Sequence, residues 1–119
     1  MSRNFQPGDF LIFQLEAGFA LLRLLAMDTQ DGELTWHLAA YNEYYLDVEM
    51  AETAIISGKL LRISRPHLAL TTRAFESTQV SNIANIPLSD EEIAPVKRWR
   101  NDPNRETSDK SVRLLLGLR

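Results

Sequence analysis

The chain has two histidines, His37 and His67, which are its most obvious candidates for proton transfer or metal ligation. They stand thirty residues apart, with no other nitrogen or sulfur ligand near either, so the familiar zinc spacings are absent. There is no cysteine, which excludes a disulfide framework, a thiol nucleophile and a thiolate metal site together. No metal and no cofactor is expected. Two-residue alternation puts His37 on the polar side of a strand with Tyr41 and Tyr45. A general base there would need an orienting acid, Asp47 or Glu49, together with a nucleophile or a cleft; without them it is a surface or structural histidine. A small enzyme or ligand-binding barrel would place its pocket near His37, Tyr41, Tyr45 and Arg23. His67 follows Arg65-Pro66 at a turn and reads as structural. Asp28-Thr29-Gln30-Asp31-Gly32 looks like the start of a calcium loop, but its acids are three apart and no bidentate glutamate follows at the required distance. The glycine-rich phosphate loops, the nucleophile elbow and the HExxH motif do not occur.

Two clusters suit recognition better than catalysis. Lys97, Arg98 and Arg100 surround Trp99, the combination that contacts phosphates and stacks on bases. The same cations in the last turn of a helix oppose its dipole, and a tryptophan there normally faces the core. The stretch 41 to 52, YNEYYLDVEMAE, holds three tyrosines and four acids and no basic residue. If its alternation is that of a strand, Tyr45, Asp47 and Glu49 share one face, with Tyr41 and Glu43 nearby. Tyrosine gives contact area at low entropic cost, and carboxylates around it favour a basic partner and speed the encounter. The simpler alternative is a solvated strand face whose tyrosines serve the sheet.

Charge is distributed unevenly. Residues 1–57 carry nine carboxylates against two arginines, a net of −7, and residues 58–119 carry eleven cations against seven carboxylates, a net of +4. The total of −3 makes the chain a poor polyanion binder unless a basic patch is isolated from the acids. At 119 residues and 45% apolar composition one domain with one core is expected. No apolar run approaches the roughly 20 residues that span a bilayer, and MSRNFQPGDF lacks the apolar stretch of a secretory signal. A cytoplasmic protein without membrane contact is the expectation.

The elements follow from turn chemistry and periodicity. Pro7-Gly8-Asp9 launches a strand over Phe10–Leu15, and Glu16-Ala17-Gly18 turns it into a second run, Phe19–Met27. That run is apolar on both faces except at Arg23, so a strand there must be covered on both sides. Its Ala, Leu, Arg and Met also permit three helical turns over Glu16–Met27; strand is the reading adopted. After the turn at Asp31-Gly32, Leu34, Trp36, Leu38 and Ala40 alternate with polar residues, and the period continues through Met50 as a fourth strand or a bent third one. Leu60–Ile63 and Leu68–Thr72 are strand candidates interrupted by Pro66, and Arg73–Asn85 is ambiguous. Ser89 with Glu92 three residues on is a capping box, predicting a helix over Asp90–Arg100 that Pro95 shortens or kinks. The apolar tail Ser111–Leu118 docks as a last strand or short helix. The fold class is all-β or β-rich α+β: a small curved antiparallel sheet or SH3-like partial barrel with one C-terminal helix.

The run Pro7-Gly8-Asp9-Phe10-Leu11-Ile12-Phe13-Gln14-Leu15 followed by Gly18-Phe19-Ala20-Leu21-Leu22-Arg23-Leu24-Leu25 resembles the opening of the bacterial immunity protein 26 family. Members open with Gly-Asp, an apolar strand, a glycine turn, and a second strand carrying an aromatic residue and an arginine. The resemblance covers about the first 30 residues, and the leucine-rich second strand departs from the family's more polar pattern. It implies an antitoxin-like protein that neutralises a toxin by binding it, and it carries over no catalytic residue. A protein-binding module with a basic partner surface is the functional expectation.

Overall fold

The structure, a computed structural model, describes residues 4–58 and 61–118. Five strands form one antiparallel sheet, β1 (Asp9–Leu15), β2 (Gly18–Gln30), β3 (Glu33–Tyr45), β4 (Ile63–Thr71) and β5 (Ser81–Asn85), in the order β4-β3-β2-β1-β5. The sheet is open, with β4 and β5 as its edges, so the barrel alternative does not close. Helices α1 (Val48–Ile56), α2 (Thr72–Thr78), α3 (Asp90–Arg100) and α4 (Val112–Leu116) replace the single helix expected.

The β1–β2 hairpin forms as anticipated, with Leu11 opposite Leu22 and Phe13 opposite Ala20. Tertiary context decides against a helix in β2. Leu22 and Leu24 enter a core on one face with Leu11, Phe13, Trp36, Leu38 and Leu70, while Leu21 and Leu25 point to the other face. The first face is covered by α2, through Ala74 and Phe75, and by α4, through Val112. Trp36 stacks on Phe75 at a 4.0 Å centroid distance, and its Nε1 donates to Thr72 Oγ1. On the second face α1 packs Ala51, Ala54 and Ile55 against Phe10, Ile12, Leu21 and Tyr41, and α3 packs Val96 against Leu25 and Ala39.

Two strand expectations are corrected. Residues 46–50 do not continue β3, because the Asp47 side chain accepts a hydrogen bond from the Met50 N–H and caps α1. The alternation of Leu46, Val48 and Met50 coincides with a helix whose buried residues are Ala51, Ala54 and Ile55, with Val48 half-buried beside them. Pro66 does not interrupt β4 but lies within it, which an edge strand tolerates since its missing N–H removes no ladder bond. The strand expected over Leu60–Ile63 lies partly outside the described residues, and Ile63 opens β4. The capping box is formed as read, Ser89 Oγ accepting from the Glu92 N–H and Glu92 from the Ser89 N–H, and α3 runs through Pro95 to Arg100.

Candidate partner-binding face

The residues expected to form one outward face are separated by the fold. Tyr41 and Tyr45 turn inward, 8% and 9% exposed, because the second face of the sheet carries α1. Burial pushes the Tyr41 hydroxyl up to about 12, and its ring stacks with Phe10 at 6.1 Å. Burial also raises Tyr45, whose hydroxyl has no hydrogen-bond partner among the described residues. Glu43 accepts from the Arg62 N–H and from its Nε, fastening β3 to the chain that leads into β4. Asp47 caps α1, and Glu49 is exposed in its first turn.

The structure instead brings other apolar groups to solvent at the same place. Tyr44 (56% exposed), Leu46 (76%), Met50 (48%) and Ile56 (82%) are four of the eight exposed large hydrophobic residues described, concentrated in thirteen residues where β3 passes into α1. At 100° per residue, Glu49, Thr53 and Ile56 form the outward stripe of α1, with Met50 and Glu52 on its flanks. The β1–β2 turn, with the exposed Glu16, lies alongside, since a Cβ on Gly18 would meet Tyr45 O at 2.6 Å and Leu46 Cα at 3.9 Å. Glu16, Asp47, Glu49 and Glu52 carry no ion pair among the described residues. Tyr41 and Tyr45, expected to face outward, are buried, and Tyr44 is the tyrosine of this stretch that reaches solvent. Asp47 ahead of Ala51, Thr53 and Ala54 was the helix signal available.

Elsewhere the two charged halves of the chain interlock. Arg23 pairs with Glu92 at 3.0 Å, Asp28 with Arg100 at 2.6 Å, and Glu43 with Arg62 at 3.3 Å. Arg23 is buried and also donates to Gly8 O and Pro87 O, with its guanidinium 4.1 Å from the Phe10 ring centroid. All three of its nitrogens are therefore engaged. The basic cluster is divided in the same way. Lys97 and Arg98 are exposed, Arg100 binds Asp28 through two hydrogen bonds, and Trp99 donates from Nε1 to Glu106 O with its ring against His37. Three cations and a stacking ring are thus not presented together.

His37 corrects the reading that placed it on a polar strand face, because α3 covers that side of the sheet and leaves the ring fully buried. Arg23, Tyr41 and Tyr45 are spent on packing and ion pairing rather than on a pocket around it. A cavity of about 660 Å³ lies at the start of β3, lined by Gln30 to Thr35, Thr71 to Arg73, Thr107 and Asp109. Arg73 is engaged there by Asp109, which also accepts from Thr71 Oγ1 at 2.6 Å. No group of three or more metal-ligating side chains occurs among the described residues, and no described helix is long and apolar enough to cross a membrane. Comparison with protein-family models, with curated proteins and with solved structures found no match.

Proposed function

We propose that this chain is a protein-binding module and that its binding face is the β3 exit and outward side of α1. The observation that carries the reading is the concentration of Tyr44, Leu46, Met50 and Ile56 in solvent beside carboxylates that no cation of the described residues neutralises. Exposed apolar groups supply burial on association, at about 25 cal/mol per Å² before ordering costs. The carboxylates of Glu16, Asp47, Glu49 and Glu52 favour a basic partner and disfavour an acidic one. Nucleic acid is disfavoured by the same charges. The resemblance of the opening hairpin to the immunity protein 26 family makes a toxin the first partner class to examine, with neutralisation by binding as the mechanism.

Affinity capture from the native cell, with the full chain and its Leu46→Ser/Met50→Ser variant as parallel baits, tests the reading. A protein with a basic surface retained by the first bait and lost by the folded second one supports it. Identical captures by both baits contradict the assignment of this face.

A further inference from the structure

The chain's two histidines meet beneath α3 although they are thirty residues apart in sequence. The register brings them together, because His37 pairs with Ala69 and His67 lies two residues further along β4 on the same face. Just beyond the pair, Leu38 is opposite Leu68 and Ala40 opposite Arg65, so β4 bulges by one residue at Pro66-His67. The two rings are 12° from parallel with their centroids 5.1 Å apart. His37 Nδ1 lies 2.8 Å from His67 Nε2.

The charged groups around the pair come from each neighbouring element. From β2, Asp28 Oδ2 stands 3.3 Å from His37 Nε2, at ion-pair distance but too poorly aligned for a full hydrogen bond. From α3, Arg100 holds the same carboxylate, Arg98 acts on His67, and the Trp99 ring meets His37 edge-on at 4.7 Å. Between Nδ1 and Nε2 there is room for one hydrogen. A neutral pair satisfies this with one donor and one acceptor, and a single added proton is shared. With both rings protonated, two N–H groups point at each other, and Asp28 alone opposes two imidazoliums and two guanidiniums.

We propose that the His37–His67 contact is an acid-sensitive latch that holds the first half of β4 to the sheet and opens when both rings are protonated. That half is the less firmly tied, its link to α4 being one exposed hydrogen bond from Arg65 Nη1 to Leu115 O at 3.3 Å. It is an exposed edge, bulged and proline-containing, whereas the far end of β4 is held by a bridge between Leu70 and Ser108 and a bond from the Thr71 N–H to Ser108 O. It also continues into Arg62, which Glu43 and the Asn42 N–H fasten beside α1, so opening loosens the chain next to the apolar and acidic face.

The direction follows from linkage. Burial, with the charges of His37 and Arg98 added, lowers His67 from 6.5 to about 4, and burial lowers His37 against the opposing effect of Asp28. A group depressed in the closed state binds its proton more readily in the open one. The latch is therefore fully effective above about pH 6.5 and weakens as pH falls towards 4.

Amide hydrogen exchange of the full chain, corrected for intrinsic rates, reads it out. Between pH 7 and 4.5 the protection of residues 63–69 should fall at least about tenfold more than that of the β1–β2 hairpin. His67→Gln, whose amide can still bond to His37 Nδ1 without titrating, should lose that difference. Ring nitrogen titration of the native protein should show two coupled steps, both below the ordinary histidine value. An equal fall in His67→Gln, which would assign the effect to carboxylates, overturns the proposal. So do two histidines titrating independently near 6.5.

Discussion

Arg23→Met is the substitution that best tests how the second face of the sheet is held together. The side chain is buried on the central strand β2 and joins three separate pieces: the turn at Gly8, the loop at Pro87 and the first turn of α3 at Glu92. Methionine keeps most of the volume and the contact with Phe10 but removes the charge. Breaking one partner of a buried ion pair costs about 3–5 kcal/mol, and the Glu92 side chain, 26% exposed, recovers part of its hydration. Gly8 O keeps the Ile86 N–H, so no buried carbonyl is left bare. The net loss is about 3 kcal/mol, which for a domain of this length lowers the melting temperature by roughly 12 °C. Circular dichroism melts and urea titrations of both proteins give the number. A pH series gives the sign. Burial pushes the Glu92 carboxyl up, but Arg23 and the Ser89 N–H outweigh it and hold it below its usual value. The native advantage is thus complete above the ordinary glutamate range and shrinks as pH falls through it. A melting temperature within about 2 °C of the native protein at pH 7 would refute the reasoning, because an internal tie cannot be removed so cheaply.

Three further outcomes are expected. Leu24→Asp, like Leu22→Asp, buries an unpaired charge in the first-face core and should abolish cooperative unfolding; an unchanged circular dichroism melt would show that β2 is peripheral. Gly18→Ala should cost about 2 kcal/mol, read in a urea titration, since its backbone has φ +152° and the added Cβ meets Tyr45 O at 2.6 Å; a neutral result would mean the β1–β2 turn is not pressed against the β3 exit. Chelator should leave the melting temperature unchanged, and a large drop would reveal a metal site assembled from carboxylates and the two histidines.

What was legible in the sequence was local. Gly18 between two apolar runs specified a hairpin, and Ser89 with Glu92 specified the start of α3, because in both cases neighbouring residues alone satisfy the chemistry. The β-rich class followed from the alternation over Leu34 to Ala40. The misreadings share one physical cause: a short window does not reveal what covers the other face. Tyr41, Tyr45 and His37 alternate as solvent-facing residues do, yet α1 and α3 close over that side of the sheet. Leu46 to Met50 fits both a two-residue period and a capped helix, and the Asp47 cap decided between them. The meeting of His37 and His67 depends on the long-range register that sets His37 opposite Ala69, which no local spacing in sequence encodes.

The proposed face sets Leu46, Met50 and the carboxylates of α1 against a basic protein surface. Surface plasmon resonance against the captured partner, at two salt concentrations, tests it most directly. Glu49→Lys/Glu52→Lys should slow association and flatten its salt dependence, and Leu46→Ser/Met50→Ser should speed dissociation at least about tenfold. Asp47→Asn is the appropriate charge removal at that position because asparagine still caps α1, whereas lysine would confound binding with helix stability. Lys97→Glu, on the exposed side of α3, should change nothing by comparison with these. Unaltered kinetics in all the α1 variants, with their melting temperatures preserved, would contradict the account and return this face to ordinary solvent-exposed surface.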